Sequence, residues 1–343
     1  MSFKVVNAIH IPGIDYGEGL LAPFNAVLTN GRWQTEEDLI SNAKDADALI
    51  CSGPIQPITQ RVFKELSRCR IVASLAVGYD RIDLDAATAK GIAVTNAPDY
   101  CLDEVSDQAI ALMMALGRKL FRIDHAIRSQ QKHFIPMNRE ALQEVAYPIF
   151  RMRTQTLGII GVGKIGTATA LKAKGLGMRV IGYDPYVFGS VMRTRGVESV
   201  DFDTLLKESD FISIHALLNE ETRKMIGYRE LKRMKQSCYL INTARGAIVD
   251  EEALIKALKE GLIAGAGLDV NVNEPLTKDN PLLQMPNVIL TGHSAWYSTT
   301  SDPEMWRKAM TQVVMAFEGK WPLYAVNSEA RSAWIRKWGR SSS

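Results

Sequence analysis

The sequence predicts an α/β protein made of two doubly wound parallel-sheet domains. Three observations predict it. Short apolar strands alternate with amphipathic helices almost from end to end, the alternation begins twice, near Phe3 and again at Thr156, and a glycine-rich strand-to-helix turn opens the second series rather than the chain. Strands joined by helices of this kind fold as right-handed βαβ units, and such units build parallel sheets.

The first series contains the strand-like segments FKVVNAI (3–9), ADALICSG (46–53), RIVASLAV (70–77) and IAVTNA (92–97). Between them lie helix-like TEEDLISNAKDA, with Thr35 as its cap and Asp38 at the third position, then TQRVFKELSRC and LDAATAK. A long helix is expected from about Asp103 to Ser129, because Ala109, Leu112, Met113, Leu116 and Leu120 recur at helical spacing. The second series runs TLGIIG from Thr156, then RVIGYD (179–184), FISIHA (211–216), CYLINTA (238–244), AGAGLDV (264–270) and NVILTG (287–292). Its clearest helix opens at Asp250 and stops at Gly261, and a last helix is expected from about Asp302 to Glu318. The tail beyond carries no pattern, and no internal repeat interrupts the series.

Composition narrows the partners. The 343 residues are 46% hydrophobic and 23% charged, and Lys plus Arg outnumber Asp plus Glu only 41 to 38. A chain so balanced has no field to draw nucleic acid or an anionic membrane surface, so its ligand is expected to be small. The longest apolar run, AIALMMAL at 109–116, falls far short of the roughly 18 residues a membrane span needs. The N-terminus MSFKVVNAIHI reads as a strand and lacks the cleavage pattern of a signal peptide. Cys51, Cys69, Cys101 and Cys238 are scattered, with no C-x-x-C pair and no histidine at metal-binding spacing. They are expected to be reduced thiols of a cytoplasmic protein, with no metal site.

Gly161-x-Gly163-x-x-Gly166 follows a strand and opens a helix, and the next strand ends in Asp184, 18 residues after Gly166. Glycines so spaced let a backbone close on a dinucleotide pyrophosphate, and the acidic residue hydrogen-bonds the adenine-ribose hydroxyls while repelling a 2′-phosphate. NAD is expected rather than NADP, since Pro185 and Tyr186, not an arginine, come next. With the cofactor assigned to the second series, the first must supply a place for substrate.

Proton transfer narrows to a few side chains. Of five histidines, His125 and His133 fall on or after the long helix, away from any strand end. His10 follows a first-series strand without supporting company. His215 and His293 both follow strands of the second series, where ligands of such sheets lie. His293 has company: Arg245 follows the CYLINTA strand, and Asp269 and Glu274 lie at and beyond the next. The planar fork of an arginine matches a carboxylate, and a carboxylate beside an imidazole favours its proton-donating form.

In this order, GIIGVGKIG, YDPY, NTARGAIVDEEAL, GLDVNVNEP and GHSAWYS resemble the D-isomer-specific 2-hydroxyacid dehydrogenase family, as does AVGYDRIDLDAATAKGIAVTNAP earlier in the chain. The resemblance covers about residues 46 to 325. It implies a flavodoxin-like substrate domain, here 1–100 and 298–343, split around an inserted Rossmann NAD domain, 101–297. It implies that Arg245 binds the carboxylate of a 2-oxo acid and polarises its ketone, that His293 protonates the ketone oxygen, and that Glu274 orients and charges His293. The amides of Val77 and Gly78 would hold the other end of the carboxylate. Beyond the three glycines, cofactor contacts would include Lys164, Ile165, Asp184, His215, Thr222, Thr243, Ala244 and Asp269, the last facing the carboxamide. A homodimer formed through the cofactor domain is implied as well, with the 103–129 helix as a candidate interface.

Within the family, HSAWYS is most similar to the C-terminal-binding-protein branch. Gly292 departs from the family, which usually has Pro before this histidine, and so leaves the His293 backbone less constrained. Two functions follow from the resemblance: an NAD-dependent enzyme interconverting a small 2-oxo acid and its (R)-2-hydroxy acid, favoured by the intact Arg245, Glu274 and His293, or an NAD(H)-responsive corepressor-like binding protein. Trp296 is either a core residue or a wall of the substrate pocket that favours apolar side chains.

Overall fold

The computed structural model describes residues 2–130 and 139–339. Two compact units emerge, Met1–Cys101 together with Ser298–Ser343, and Leu102–Tyr297.

The first unit holds β1 (Lys4–Asn7), β2 (Val27–Asn30), β3 (Ala48–Cys51), β4 (Ile71–Ser74) and β5 (Ala93–Thr95), all parallel, in the order β2-β1-β3-β4-β5. This is the flavodoxin-like order, which reverses direction between β1 and β3. Its core joins Val6, Leu49, Val72 and Val94 of the strands to Leu39, Val62, Phe63 and Ala87 of the helices. The helix Glu36–Ala43 starts where expected, with the Thr35 hydroxyl accepting the Asp38 amide at 3.2 Å.

Strand β2 was not foreseen. It is an edge strand with no fully buried residue, Val27 being 57% exposed, so it lacks the apolar run that marks its neighbours.

The patternless tail also turns out to be structure. Asn327 accepts the Val94 amide at 2.8 Å and donates to the Ile92 carbonyl at 2.9 Å, tying the tail to β5. A helix, Arg331–Trp338, then buries Trp334 completely, and the indole donates to the Arg70 carbonyl at 2.8 Å. The Arg70 guanidinium lies over the rings of Phe3 and Trp338, 4.7 and 4.5 Å from their centroids. Two turns of helix anchored by a few aromatic side chains are too short to carry a periodic signal.

The second unit contains β6 (Thr156–Ile160), β7 (Arg179–Tyr183), β8 (Glu198–Ser199), β9 (Phe211–Ile214), β10 (Tyr239–Asn242), β11 (Gly265–Leu268) and β12 (Val288–Leu290). All are parallel, in the order β12-β11-β10-β9-β6-β7-β8, a Rossmann sheet extended by one strand, with the reversal between β6 and β9. Ala109, Leu112, Met113 and Leu116 pack with Leu157, Ile159 and Ile241 of the sheet.

The single long helix expected from Asp103 to Ser129 is two helices, Leu102–Gly117 and Leu120–Gln130. The break has a packing cause. A Cβ on Gly117 would stand 3.0 Å from the Phe211 ring, and Lys119 turns the chain at φ 57° while its ammonium donates to the Tyr239 hydroxyl. Among the described residues no helix is long and apolar enough to cross a membrane.

Trp334→Ala is expected to destabilise the first unit by about 3–5 kcal/mol, the range for emptying a buried indole site. Urea unfolding followed by circular dichroism checks it, and a midpoint equal to that of the parent chain would mean that the tail contributes no stability.

Candidate active site

The carboxyl end of β6 shows why its turn needs glycines. Gly161 sits at φ 89°, and a Cβ there would stand 2.7 Å from the Ala216 amide nitrogen. A Cβ on Gly166 would lie 2.1 Å from the Gly161 carbonyl oxygen. These two are required by the protein's own packing. A Cβ on Gly163 would meet no atom within 4 Å, so its glycine answers to something other than a protein neighbour. Gly163 is also the N-cap of the helix Lys164–Gly175, and no side chain caps it. An N-terminus left in this state, with the amides of Lys164 and Ile165 in its first turn, suits an anion such as a pyrophosphate.

Asp184 ends β7 with its carboxylate fixed by two amides, those of Val162 and Tyr186, each at 2.9 Å. The absence of an arginine directly after Asp184 is not the whole story, because the fold brings Arg195 back to donate to the Val162 carbonyl. A carboxylate and a guanidinium thus grip opposite ends of one residue of the glycine turn.

At the end of β9, His215 Nε2 lies 2.8 Å from the Ser213 hydroxyl, while Nδ1 is buried and has no partner among the described residues. Burial pushes this imidazole down to about 4, so it is neutral near pH 7. At the end of the adjacent β10, the Thr243 hydroxyl is buried and equally lacks a partner among the described residues. Polar atoms orphaned in this way call for a ligand or water. Two of them, at the carboxyl ends of adjacent strands of the sheet that carries the glycine turn, fit a dinucleotide. Thr222 instead closes its own loop, donating to the Leu217 carbonyl at 2.6 Å and accepting the Asn219 amide at 2.9 Å.

The candidates for proton transfer lie on the loops that follow β10, β11 and β12. Asn242 shapes the first, its side chain accepting the Ala244 amide at 3.0 Å and donating to the Arg245 carbonyl at 2.9 Å. Arg245 in turn donates to the Ala244 carbonyl at 2.8 Å. The next residue, Gly246, leaves no room for a Cβ, which would be 2.0 Å from the carbonyl carbon of Asn271, so this loop lies directly against the loop carrying Glu274.

Glu274 accepts the Asn271 amide on Oε1 at 2.9 Å, and its Oε2 meets His293 Nδ1 at 2.7 Å, each side chain of the pair being 37% exposed. Partial burial raises the Glu274 carboxyl, but the hydrogen bonds from His293 and the Asn271 amide and the nearby charges of His293 and Arg245 outweigh it, holding the group below its ordinary value. A carboxylate can only accept, so Nδ1 of His293 carries the hydrogen and Nε2 is the nitrogen outside the pair.

Gly292 and His293 both take left-handed backbone, at φ 63° and 60°. Proline, fixed near about −65°, cannot follow this path, which explains the departure at Gly292. The expectation of a less constrained His293 gives way to a loop held from several sides. Asp269, 1% exposed, accepts from the Thr291 hydroxyl and the Ser294 and Ala295 amides.

Val77 and Gly78 follow β4 in the first unit, where the Val77 carbonyl accepts Asn96 at 2.8 Å and Gly78 is buried. Trp296 is half-buried, its ring edge-on to that of Tyr297. His10 pairs with the Tyr16 hydroxyl at 3.0 Å, His125 is exposed on its helix, and His133 lies outside the described residues. All four cysteines are buried and none forms a disulfide among the described residues, and burial pushes the thiols of Cys51, Cys69 and Cys238 up. Among the described residues no cluster of three or more His, Cys, Asp or Glu side chains could hold a metal ion. Sequence reasoning missed Arg195, Asn242, Thr291 and Ser294. Of these only Asn242 had a local signal, a turn-forming side chain at a strand end.

Residues 110–295 match the family model described as D-isomer specific 2-hydroxyacid dehydrogenase, NAD binding domain. The glyoxylate reductase of Korarchaeum cryptofilum is 42% identical over 291 residues, 85% of this chain and 86% of that one. The glyoxylate reductase of Thermococcus litoralis is 44% identical over 259 residues, 74% and 76% of the two chains. A glyoxylate reductase structure from Paecilomyes thermophila superposes with a TM-score of 0.84 at 29% identity, covering 96% of this chain and 99% of that one. A D-lactate dehydrogenase from Aquifex aeolicus, complexed with NAD and lactic acid, gives 0.79 at 27% identity, covering 96% and 98%.

Asp184→Ala is expected to weaken NADH binding by roughly one to two powers of ten, the worth of charged hydrogen bonds, and to narrow the preference over NADPH. Adding Arg195→Ala is expected to restore part of that preference. Fluorescence titration with both nucleotides reads it, and unchanged affinities in Asp184→Ala would remove the residue from the ribose site.

Proposed function

Because the chain belongs to the D-isomer-specific 2-hydroxyacid dehydrogenase family, we propose that it reduces small 2-oxo acids to (R)-2-hydroxy acids with NADH, through Arg245, Glu274 and His293. The observation that carries this reading is the 2.7 Å contact of Glu274 with His293, on loops of the same sheet edge that bears the glycine turn. Bound NADH supplies the hydride to the ketone carbon. Arg245 offers its fork to the substrate carboxylate and draws electron density toward the ketone oxygen. His293 releases a proton from Nε2 to that oxygen, while Glu274, accepting from Nδ1, fixes the ring and offsets the charge it carries before the transfer. In oxidation the same nitrogen takes the hydroxyl proton back. The neutral, buried His215 fits the cofactor pocket rather than this step.

The glyoxylate reductases among the relatives support a short substrate. Trp296, three residues past His293, supports a pocket that also accepts apolar side chains. We place the pairing of two copies in this same unit, where Leu120, Phe121, Tyr147 and Phe150 leave large apolar side chains exposed. Light scattering on the purified chain checks that pairing, and a monomer at micromolar concentration would refute it.

NADH oxidation against 2-oxo acids from glyoxylate upward tests the activity, and no turnover of any member would overturn the reading. If Trp296 lines the pocket, two or three added carbons raise kcat/KM by roughly ten- to fiftyfold at about 0.8 kcal/mol per methylene. A series that falls from glyoxylate returns Trp296 to packing.

His293→Ala is expected to cut kcat by about 10²- to 10⁴-fold with NADH affinity retained, and Arg245→Lys to lose roughly one to two powers of ten in kcat/KM. Glu274 has its carboxyl held low, so its support of His293 is complete at neutral pH and is lost only as pH falls through a value below the ordinary carboxylate range. Glu274→Gln is therefore expected to lower the reduction rate near pH 7 and to move the alkaline limb of its pH profile to lower pH. A profile superimposable on that of the parent enzyme would show that the pair does not act in proton delivery.

A further inference from the structure

Glu274 fixes the ring of His293 but not the backbone beneath it. That backbone runs through two consecutive left-handed residues, Gly292 at φ 63° and His293 at φ 60°, a path that neither residue type enforces. Something else must choose it. Asp269, at the end of β11, has the required contacts. Its Oδ1 accepts the Thr291 hydroxyl at 2.5 Å and the Ser294 amide at 3.0 Å, its Oδ2 accepts the Ala295 amide at 3.1 Å, and its backbone carbonyl accepts the His293 amide at 2.5 Å. One residue, 1% exposed, thus holds the loop on both sides of His293 and at His293 itself. Three donors occupy its carboxylate, two on Oδ1 and one on Oδ2.

We propose that Asp269 is a positioning residue for proton transfer: acting through Thr291, Ser294 and Ala295, it sets the backbone on which His293 meets the ketone oxygen. The inference rests on the role given to His293 above. It differs from the cofactor contact implied for Asp269 by family resemblance, and the two assignments respond differently to Thr291. A group that only binds cofactor loses nucleotide affinity when its supporting hydroxyl is removed. A group that positions His293 loses the rate of proton-coupled hydride transfer instead.

Thr291→Val removes the hydroxyl and keeps the shape. At saturating NADH, kcat is expected to fall about ten- to a hundredfold, what a hydrogen bond to a charged group is worth, while KM for the 2-oxo acid and Kd for NADH stay within about twofold. Thr291→Ser, which keeps the hydroxyl, is expected to restore kcat. If the valine variant does not fold, the Thr291→Ser and Thr291→Ala pair, differing by one oxygen, repeats the comparison. A loss of NADH affinity with unchanged kcat, or a valine variant indistinguishable from the parent, overturns the proposal.

A second readout needs no turnover. The His293 ring resonance, assigned by its disappearance in His293→Ala, is expected to shift or broaden in ligand-free Thr291→Val and not in Thr291→Ser. An unmoved resonance overturns the clamp even in an active enzyme. A parent chain that reduces no 2-oxo acid, with the resonance still moved in Thr291→Val, overturns the assigned activity and leaves the clamp standing.

Discussion

The contact on which the second unit depends is between two stretches of backbone. The helix Lys164–Gly175 approaches the end of β6 so closely that a methyl group on Gly166 would overlap the Gly161 carbonyl, and Gly161 is itself pressed against the backbone that follows β9. Two neighbouring strands and one helix therefore meet with no side chain between them. That seam fixes the helix N-terminus over the point where the sheet reverses direction, and it leaves His215 and Asp184 on either side. Close packing transmits such a constraint, because an interior without voids cannot absorb a displaced helix locally.

The two histidines at strand ends stand in opposite surroundings. His215 is enclosed until it is neutral near pH 7, and it keeps one nitrogen for Ser213. His293 stands on an outer loop against a carboxyl that burial raises and that hydrogen bonds and nearby charge hold below its ordinary value. Sequence position made them rivals. Desolvation at one and a charged neighbour at the other separate them.

What could be read in the sequence was what is local. Central strands such as TLGIIG and CYLINTA are short apolar runs, the Thr35 and Asp250 caps act within three residues, and the glycine turn is a contiguous motif. Six strands of the second sheet were legible in that alternation, with Asp184, Arg245, Glu274 and His293 at or beyond their carboxyl ends, whereas β8, two exposed residues, left no signal. What could not be read depends on distant partners. The break after Gly117 exists because Phe211 lies beneath it, Arg195 matters only because the chain returns it to Val162, and the last helix is held by Trp334 on Arg70. Edge strand β2 escaped for the opposite reason, having too little buried surface to leave a pattern.

The placement of that last helix has a consequence for the order in which the chain is made. Residues 102–297 are contiguous and hold a complete seven-stranded sheet, so this unit can form as soon as it leaves the ribosome. The five-stranded sheet is synthesised earlier and yet waits longer, since Asn327 and Trp334 are made only after the whole of the second unit. Until then the amide of β5 that Asn327 will occupy and the floor beneath Arg70 remain uncovered. Domains generally fold in the order of synthesis; here the unit begun earlier is completed after the one begun later.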